Sequence, residues 1–339
     1  MRILIIGPSW VGDTVISQSL LGIISSHYDS VDIDVLAPRW TLDIYKRMKQ
    51  VSDVFLLPFK HGDFKFNQRV DFGRRLKSKG YDQAIVLPNS LKSSFIPFFA
   101  KIPRRTGWIG EMRYFFINDI RKLNKLNYPR MVDRFVALAA SKDEELPHKI
   151  PYPSLVIDRK NIDTFSSRYG LRSHTPTITL CPGAEFGPSK RWPPSYFSKI
   201  ADNFISKDWQ VLLLGSKNDV LSSKEVEYEM TKKNPELFFN LTGMTSLEDA
   251  IDILATSSVV LTNDSGLMHI SAAVRTPLVA LFGPSSPEFT PPLAEKKIVL
   301  RKEKGYIKKR VGSLPGGYHK SLIEIKPQEA IEALERIKT

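Results

Sequence analysis

Thr262-Asn263-Asp264-Ser265-Gly266-Leu267-Met268-His269 is the stretch whose reading decides the fold. The apolar run Ser258-Val259-Val260-Leu261 leads into it and a helix-like segment, residues 267–274, leaves it, so it reads as a strand-to-helix turn. Such turns at the carboxyl ends of parallel strands present free backbone N–H groups and a positive helix dipole, and they gather anionic ligands such as nucleotide phosphates. Asp264 adds a carboxylate suited to sugar hydroxyls, and Gly266 lets the backbone approach a ligand with no Cβ in the way. An ordinary turn with a helix-capping Asp has the same pattern, so the octapeptide needs support from the rest of the chain.

That support is a repeated alternation of apolar, β-branched runs with amphipathic stretches of helical length. In the first half it predicts strands over residues 2–6, 32–36, 54–57 and 83–87, with helices over 15–26, 40–48 and 67–79. Residues 143–171 break the rhythm with Pro147, Pro151 and Pro153 among charges, as an interdomain linker does. The alternation then restarts. It predicts strands over 177–181, 210–214, 259–261 and 277–281, helices over 194–206, 221–232 and 247–256, and a final amphipathic helix over 327–337. Alternating strands and helices imply a parallel sheet, and the restart implies two Rossmann-like halves. No fixed-period repeat appears, which excludes a solenoid.

Composition narrows the function classes. With 339 residues and 42% hydrophobic content, the chain suits two cores of ordinary size better than one. No apolar segment reaches the roughly 18 to 20 residues of a membrane span, and the N-terminus enters a strand directly, so a cytosolic protein is expected. The single cysteine, Cys181, excludes an intramolecular disulfide and lies in an apolar run as a buried strand thiol would. A net charge of +13 points to anionic partners. The cations are densest over residues 101–134 and 301–310, the latter including Lys302, Lys304, Lys308, Lys309 and Arg310. No helix-turn-helix pattern, RNP-like sequence or zinc-ligand spacing accompanies them.

Chemistry in a two-halved α/β chain belongs in the cleft between the halves, at the carboxyl ends of strands. One turn there, Gly7-Pro8-Ser9-Trp10-Val11-Gly12-Asp13, is neither a dinucleotide fingerprint nor a Walker A loop. Asp13 in the first helical turn would repel a phosphate, and a carboxylate facing the cleft suits a general base better. An acid in that position is also what the helix dipole favours, and the residue alone does not decide between the two. A second turn, residues 181–193, combines Gly183, Gly187, Ser189, Lys190 and Arg191 as a phosphate-cradling loop does; Trp192 within it reads as structural. Lys190 as a point charge would offset charge building on a departing diphosphate. A tight turn with exposed cations has the same composition.

These turns, with Leu87-Pro88-Asn89-Ser90, Arg105-Thr106-Gly107-Trp108 and Phe282-Gly283-Pro284-Ser285-Ser286-Pro287, stand in an order that resembles glycosyltransferase family 9, the ADP-heptose:lipopolysaccharide heptosyltransferases, over nearly the whole chain. The Pro8-Ser9-Trp10 turn resembles the branch that adds the second heptose. The resemblance implies an α/β, GT-B fold of two Rossmann-like domains facing each other across a cleft: residues 1–155 for the acceptor, 156–175 as linker, 176–325 for ADP-heptose and 326–339 as a closing helix. It implies inverting transfer of L-glycero-D-manno-heptose from ADP-heptose to the first heptose of the Kdo–lipid A core. By the same resemblance Asp13 is the base and Lys190 contacts the diphosphate. Asp264 holds donor hydroxyls, Ser265, Gly266 and Leu267 supply backbone contacts, and His269 lies close. Gly183, Ala184 and Glu185 replace the threonines of a better-studied relative, leaving backbone amides for the phosphates. Lys217 or Asn218 stands where that relative has a donor-binding acid, so the ribose contact is not assigned.

No His, Asp, Glu or Cys cluster has metal-ligand spacing, so neither a cofactor nor a tightly held metal is expected. The basic tract over 101–134 is the expected grip on the acidic acceptor, through Arg104, Arg105 and Arg113, and the expected peripheral contact with the cytoplasmic face of the inner membrane. Two other readings compete. A nucleic-acid-binding protein would use the same net charge, and a sugar-nucleotide epimerase would share the two-domain cleft; the expectation here is a partner that is not nucleic acid.

Overall fold

The computed structural model describes residues 1–60, 62–142, 144–172, 174–185, 187–305, 312 and 314–338. Two compact units are present, Met1–Pro153 and Ser154–Thr339. The first contains β1 (Arg2–Ile6), β2 (Asp32–Ala37), β3 (Asp53–Leu56), β4 (Gln83–Val86), β5 (Arg104–Trp108) and β6 (Asp119–Arg121). The second contains β7 (Thr177–Cys181), β8 (Gln210–Leu213), β9 (Phe238–Asn240), β10 (Val259–Asn263), β11 (Leu278–Phe282) and β12 (Lys297–Arg301).

All strand pairs are parallel, and the sheet orders are β3-β2-β1-β4-β5-β6 and β12-β11-β10-β7-β8-β9. Renumbered from its own first strand, the second sheet has the order of the first, 3-2-1-4-5-6, so the chain builds the same Rossmann-type sheet twice. In such sheets the strand order reverses between the first and fourth strands, which opens a ligand crevice outside their carboxyl ends. That point lies between β1 and β4 in one unit and between β7 and β10 in the other.

Central strands read as unbroken apolar runs because helices cover both faces. Every residue of β7, β10 and β11 is buried. One layer of the second core joins Ile178, Leu180, Leu261 and Leu281 to Phe197, Phe204, Ala330 and Leu334. The last two come from the closing helix Pro327–Lys338, whose first turn Pro327 fits because no N–H is needed there. Cys181 is fully buried at the end of β7, where burial pushes its thiol far above the usual range.

The structure differs from the expected linker. Within it, residues Arg159–Tyr169 form a helix, N-capped by Asp158, whose carboxylate accepts from the Lys160 and Asn161 amides. Asn161 Nδ2 donates to Asp249 and Asp252 on the helix Leu247–Thr256, which binds this segment into the second unit. Its composition is polar and its apolar stripe narrow, Ile162, Phe165 and Tyr169; Phe165 is the one residue of this helix that is buried. Among the described residues no helix is long and apolar enough to cross a membrane.

Candidate active site

In the second unit, the loops after β7 and β10 meet at the switch point because Thr262 pairs in register with Cys181. Asn263, fully buried, ties them together: its Nδ2 donates to Pro182 O at 2.7 Å and its Oδ1 accepts from the Trp192 amide at 3.1 Å. Trp192 is itself anchored, with Nε1 donating to Ile325 O at 2.9 Å and its ring edge-on to Tyr196 and Phe197, in agreement with its structural reading. The loop is thereby held so that Lys190 Nζ donates to Asp264 Oδ2 at 2.7 Å, with both side chains more than 90% buried.

Two charges buried together in this way are costly to assemble and offer no general gain in stability, so the pair reads as a device of function. Burial by itself would raise the Asp264 carboxyl; the Lys190 ammonium overrides that and holds it below its ordinary value, with smaller contributions from Ser285 and His269. His269 is buried beside them, and desolvation takes its imidazole down to about 4, so it is neutral at physiological pH. Ser265 precedes the helix Gly266–Ala273 without capping it by its side chain, which leaves the first-turn amides of Gly266 and Leu267 open to an anion.

The rest of the loop after β7 is organised around Asp219, which the sequence reading did not single out. Asp219 Oδ2 accepts from Ser216 N and Oγ at 2.9 and 2.7 Å, and Arg191 reaches Oδ1 at 3.4 Å. Gly183 lies against this carboxylate so closely that a Cβ would stand 2.3 Å from Asp219 Cγ. Its lack of a side chain therefore has a packing cause. Ala184 is buried and its carbonyl accepts from Arg191, whereas Glu185 is exposed; Phe186 lies outside the described residues.

In the first unit, β1 runs into the helix Val11–His27 through Gly7, where a Cβ would stand 2.8 Å from the Tyr45 hydroxyl. Asp13 lies in the first turn, half-buried, at the switch point of this sheet. Desolvation pushes its carboxyl up to about 6. A dipole-compensating surface acid would keep an ordinary or lowered value, whereas a carboxyl raised in this way is able to take a proton near neutrality.

The three arginines expected on the acceptor side are all engaged within this unit. Arg113 is almost fully buried and donates to Trp108 O at 2.7 Å, Pro88 O at 2.5 Å and Ser93 Oγ at 3.2 Å, so it fastens the Pro88-Asn89-Ser90 turn to the loop after β5. That corrects its reading as a cation offered to a ligand. Arg104 donates twice to Asp119, and Arg105 donates to Phe116 O and Ile102 O while its guanidinium lies 5.4 Å from the Phe98 ring centroid. Lys101, Lys122 and Lys125 are exposed cations of the tract, as is Arg104 within its pair with Asp119. In the second tract, Lys302 pairs with Glu329, and Lys308, Lys309 and Arg310 lie outside the described residues.

Two Rossmann-type sheets of one order, each with charged groups at its switch point, make the two halves of a GT-B fold. Residues 69–318 match the model of glycosyltransferase family 9 (heptosyltransferase), and the chain belongs to that family. It is 45% identical to lipopolysaccharide heptosyltransferase 2 of Salmonella typhimurium over 99% of this chain and 98% of the relative. It is equally similar, at 45% over 99% of both chains, to lipooligosaccharide heptosyltransferase 2 of Haemophilus influenzae. Among solved structures, that of Escherichia coli ADP-heptose lps heptosyltransferase II superposes with a TM-score of 0.91 and 41% identity, covering 100% of this chain and 98% of the other. These findings favour a glycosyltransferase over the nucleic-acid-binding and epimerase readings.

Proposed function

We propose that this chain transfers L-glycero-D-manno-heptose from ADP-heptose to the first heptose of the Kdo–lipid A inner core, with inversion at the anomeric carbon. Asp13 carries the mechanism: a carboxyl desolvated to about 6 is largely ionised at pH 7, yet basic enough to accept a hydroxyl proton. Asp13 takes the proton from the acceptor hydroxyl as its oxygen bonds to the anomeric carbon. The bond from that carbon to the phosphate oxygen breaks, and ADP leaves with the electron pair. Lys190 meets the diphosphate as its charge grows, Asp264 holds hydroxyls of the sugar, and the amides of Gly183, Ala184, Glu185, Ser265, Gly266 and Leu267 surround the phosphates. His269, neutral and buried, leaves Lys190 as the cation for the anion.

Peripheral contact with the anionic cytoplasmic leaflet belongs to the same proposal. An interlocked cluster of phenylalanines in the first unit supports it: Phe64, Phe66, Phe98, Phe115 and Phe116 are linked by ring contacts of 4.9 to 6.3 Å, directly or through Phe95 and Phe99. Phe115 is 73% exposed and Phe64 54%. Apolar rings with Lys101 close by in sequence suit acyl chains beneath acidic headgroups. The test of the transfer is incubation with ADP-heptose and an acceptor carrying a single heptose. A lipid product heavier by one heptosyl residue, dependent on Asp13, is expected; free sugar with no lipid product sinks the reading.

A further inference from the structure

The motif Phe282-Gly283-Pro284-Ser285-Ser286-Pro287 follows β11, and the mechanism above leaves it unused. Its two serines differ sharply. Ser286 Oγ accepts from the Glu288 amide at 3.2 Å, shaping the turn. Ser285 is 4% exposed, and its Oγ has no partner in hydrogen-bond geometry. A buried hydroxyl left unpaired costs stability and is rare in folded proteins, so it calls for a reason beyond the fold.

Its position supplies one. β11 lies beside β10, with Leu281 in register with Asn263, and the Asp264 amide donates to Leu281 O at 3.1 Å. The loops carrying Ser285 and Asp264 therefore leave adjacent strands at the same level. Ser285 is near enough to the Asp264 carboxylate to help hold it ionised, although no bond of normal geometry forms. Asp264 Oδ2 is occupied by Lys190. A hydroxyl offers one donor and two acceptor sites. Beside a carboxylate already engaged, those sites match a sugar hydroxyl, which is both donor and acceptor, better than they match a second cation.

We infer that Ser285 is a donor-site residue that hydrogen-bonds a hydroxyl of the transferred sugar together with Asp264. The inference rests on the proposed assignment of Asp264 to the sugar end of the donor. It is tested by calorimetry on the full chain, with ADP and ADP-heptose as separate probes and no acceptor present. Ser285→Ala should weaken ADP-heptose roughly tenfold, the worth of one good hydrogen bond, with ADP affinity changed less than about twofold. Its melting temperature should change little, because no hydrogen bond of normal geometry is lost. Ser285→Thr, which keeps the hydroxyl, should retain more of the ADP-heptose affinity than Ser285→Ala. Unchanged ADP-heptose affinity, or equal loss for ADP and ADP-heptose, overturns the inference. Asp264→Ala is the control: if it also leaves ADP-heptose binding intact, the assignment of the donor site has failed rather than that of Ser285 alone.

Discussion

Asp13 is held where burial disfavours its charge. The folded state raises its carboxyl from 3.8 to about 6, so the native protein binds that proton more tightly than the unfolded chain does. Stability from this group is therefore greatest at low pH, falls as pH climbs from about 4 to 6, and the deficit is complete above that range. Asp13→Asn should stabilise the protein at pH 7 by about 1–3 kcal/mol, with the gain vanishing below about pH 4, as denaturant melts at the two pH values will show. The same variant should lose about 10² to 10⁴ in turnover while keeping ADP-heptose affinity. Parent activity should fall with a single-proton limb near pH 6. The buried Lys190–Asp264 pair gives a different signature. Lys190→Ala leaves a buried carboxylate unpaired and should cost about 3–5 kcal/mol along with diphosphate affinity. Combining Lys190→Met with Asp264→Asn should restore most of the stability and none of the activity. A double variant as unstable as the single would mean that the pair does not act as a coupled unit.

At the level of elements, Asn263 decides how the loop after β7 sits. Strand β10 ends in a side chain that holds both ends of the loop after β7, which is why a residue in the middle of the opening octapeptide matters to Lys190. Strands with continuous apolar runs were legible within a residue or two at their ends: 83–87 was expected and Gln83–Val86 is found, 277–281 was expected and Leu278–Phe282 is found. Strands β5, β6, β9 and β12 were not. β6 and β5, which begins Arg104-Arg105, lack the apolar run on which the reading depends, whereas the edge strands β9 and β12 carry only short ones, Leu237-Phe238-Phe239 and Ile298-Val299-Leu300, between polar neighbours. The segment around β5 carries the membrane prediction. Phe64→Ser with Phe115→Ser should lower partitioning onto vesicles containing acidic lipids about tenfold or more, at any salt concentration. Changing Lys101, Lys122 and Lys125 to Gln should lower it by about 1 kcal/mol per charge, an effect that shrinks as salt rises. Kinetics with a water-soluble, deacylated acceptor should be unchanged in both sets. Undiminished vesicle binding would return this face to ordinary solvated surface.

On the scale of the whole molecule, each sheet is covered by helices of its own unit, including the closing helix Pro327–Lys338 over the second. Residues 154–339 expressed alone should fold cooperatively and bind ADP, since Lys190, Asp264 and the helix Gly266–Ala273 all lie within them. Calorimetry with ADP checks this, and absence of heat with a folded fragment would place essential donor contacts in residues 1–153.

The alternation of apolar runs with helical stretches, its restart after residue 171 and the three glycine-bearing turns were set by the sequence alone, because local periodicity and turn chemistry need no partner to be read. Which side chains those turns bring together was decided by tertiary structure. Arg113 looked like a free cation and is buried under carbonyls; Asp219 was not singled out and anchors the loop after β7; Ser285 stood only within a quoted motif and is a buried hydroxyl whose loop leaves the strand beside that of Asp264. Burial and long-range pairing depend on strand order and register, and the lowered imidazole of His269 and the raised carboxyl of Asp13 follow from burial that no single stretch of sequence records.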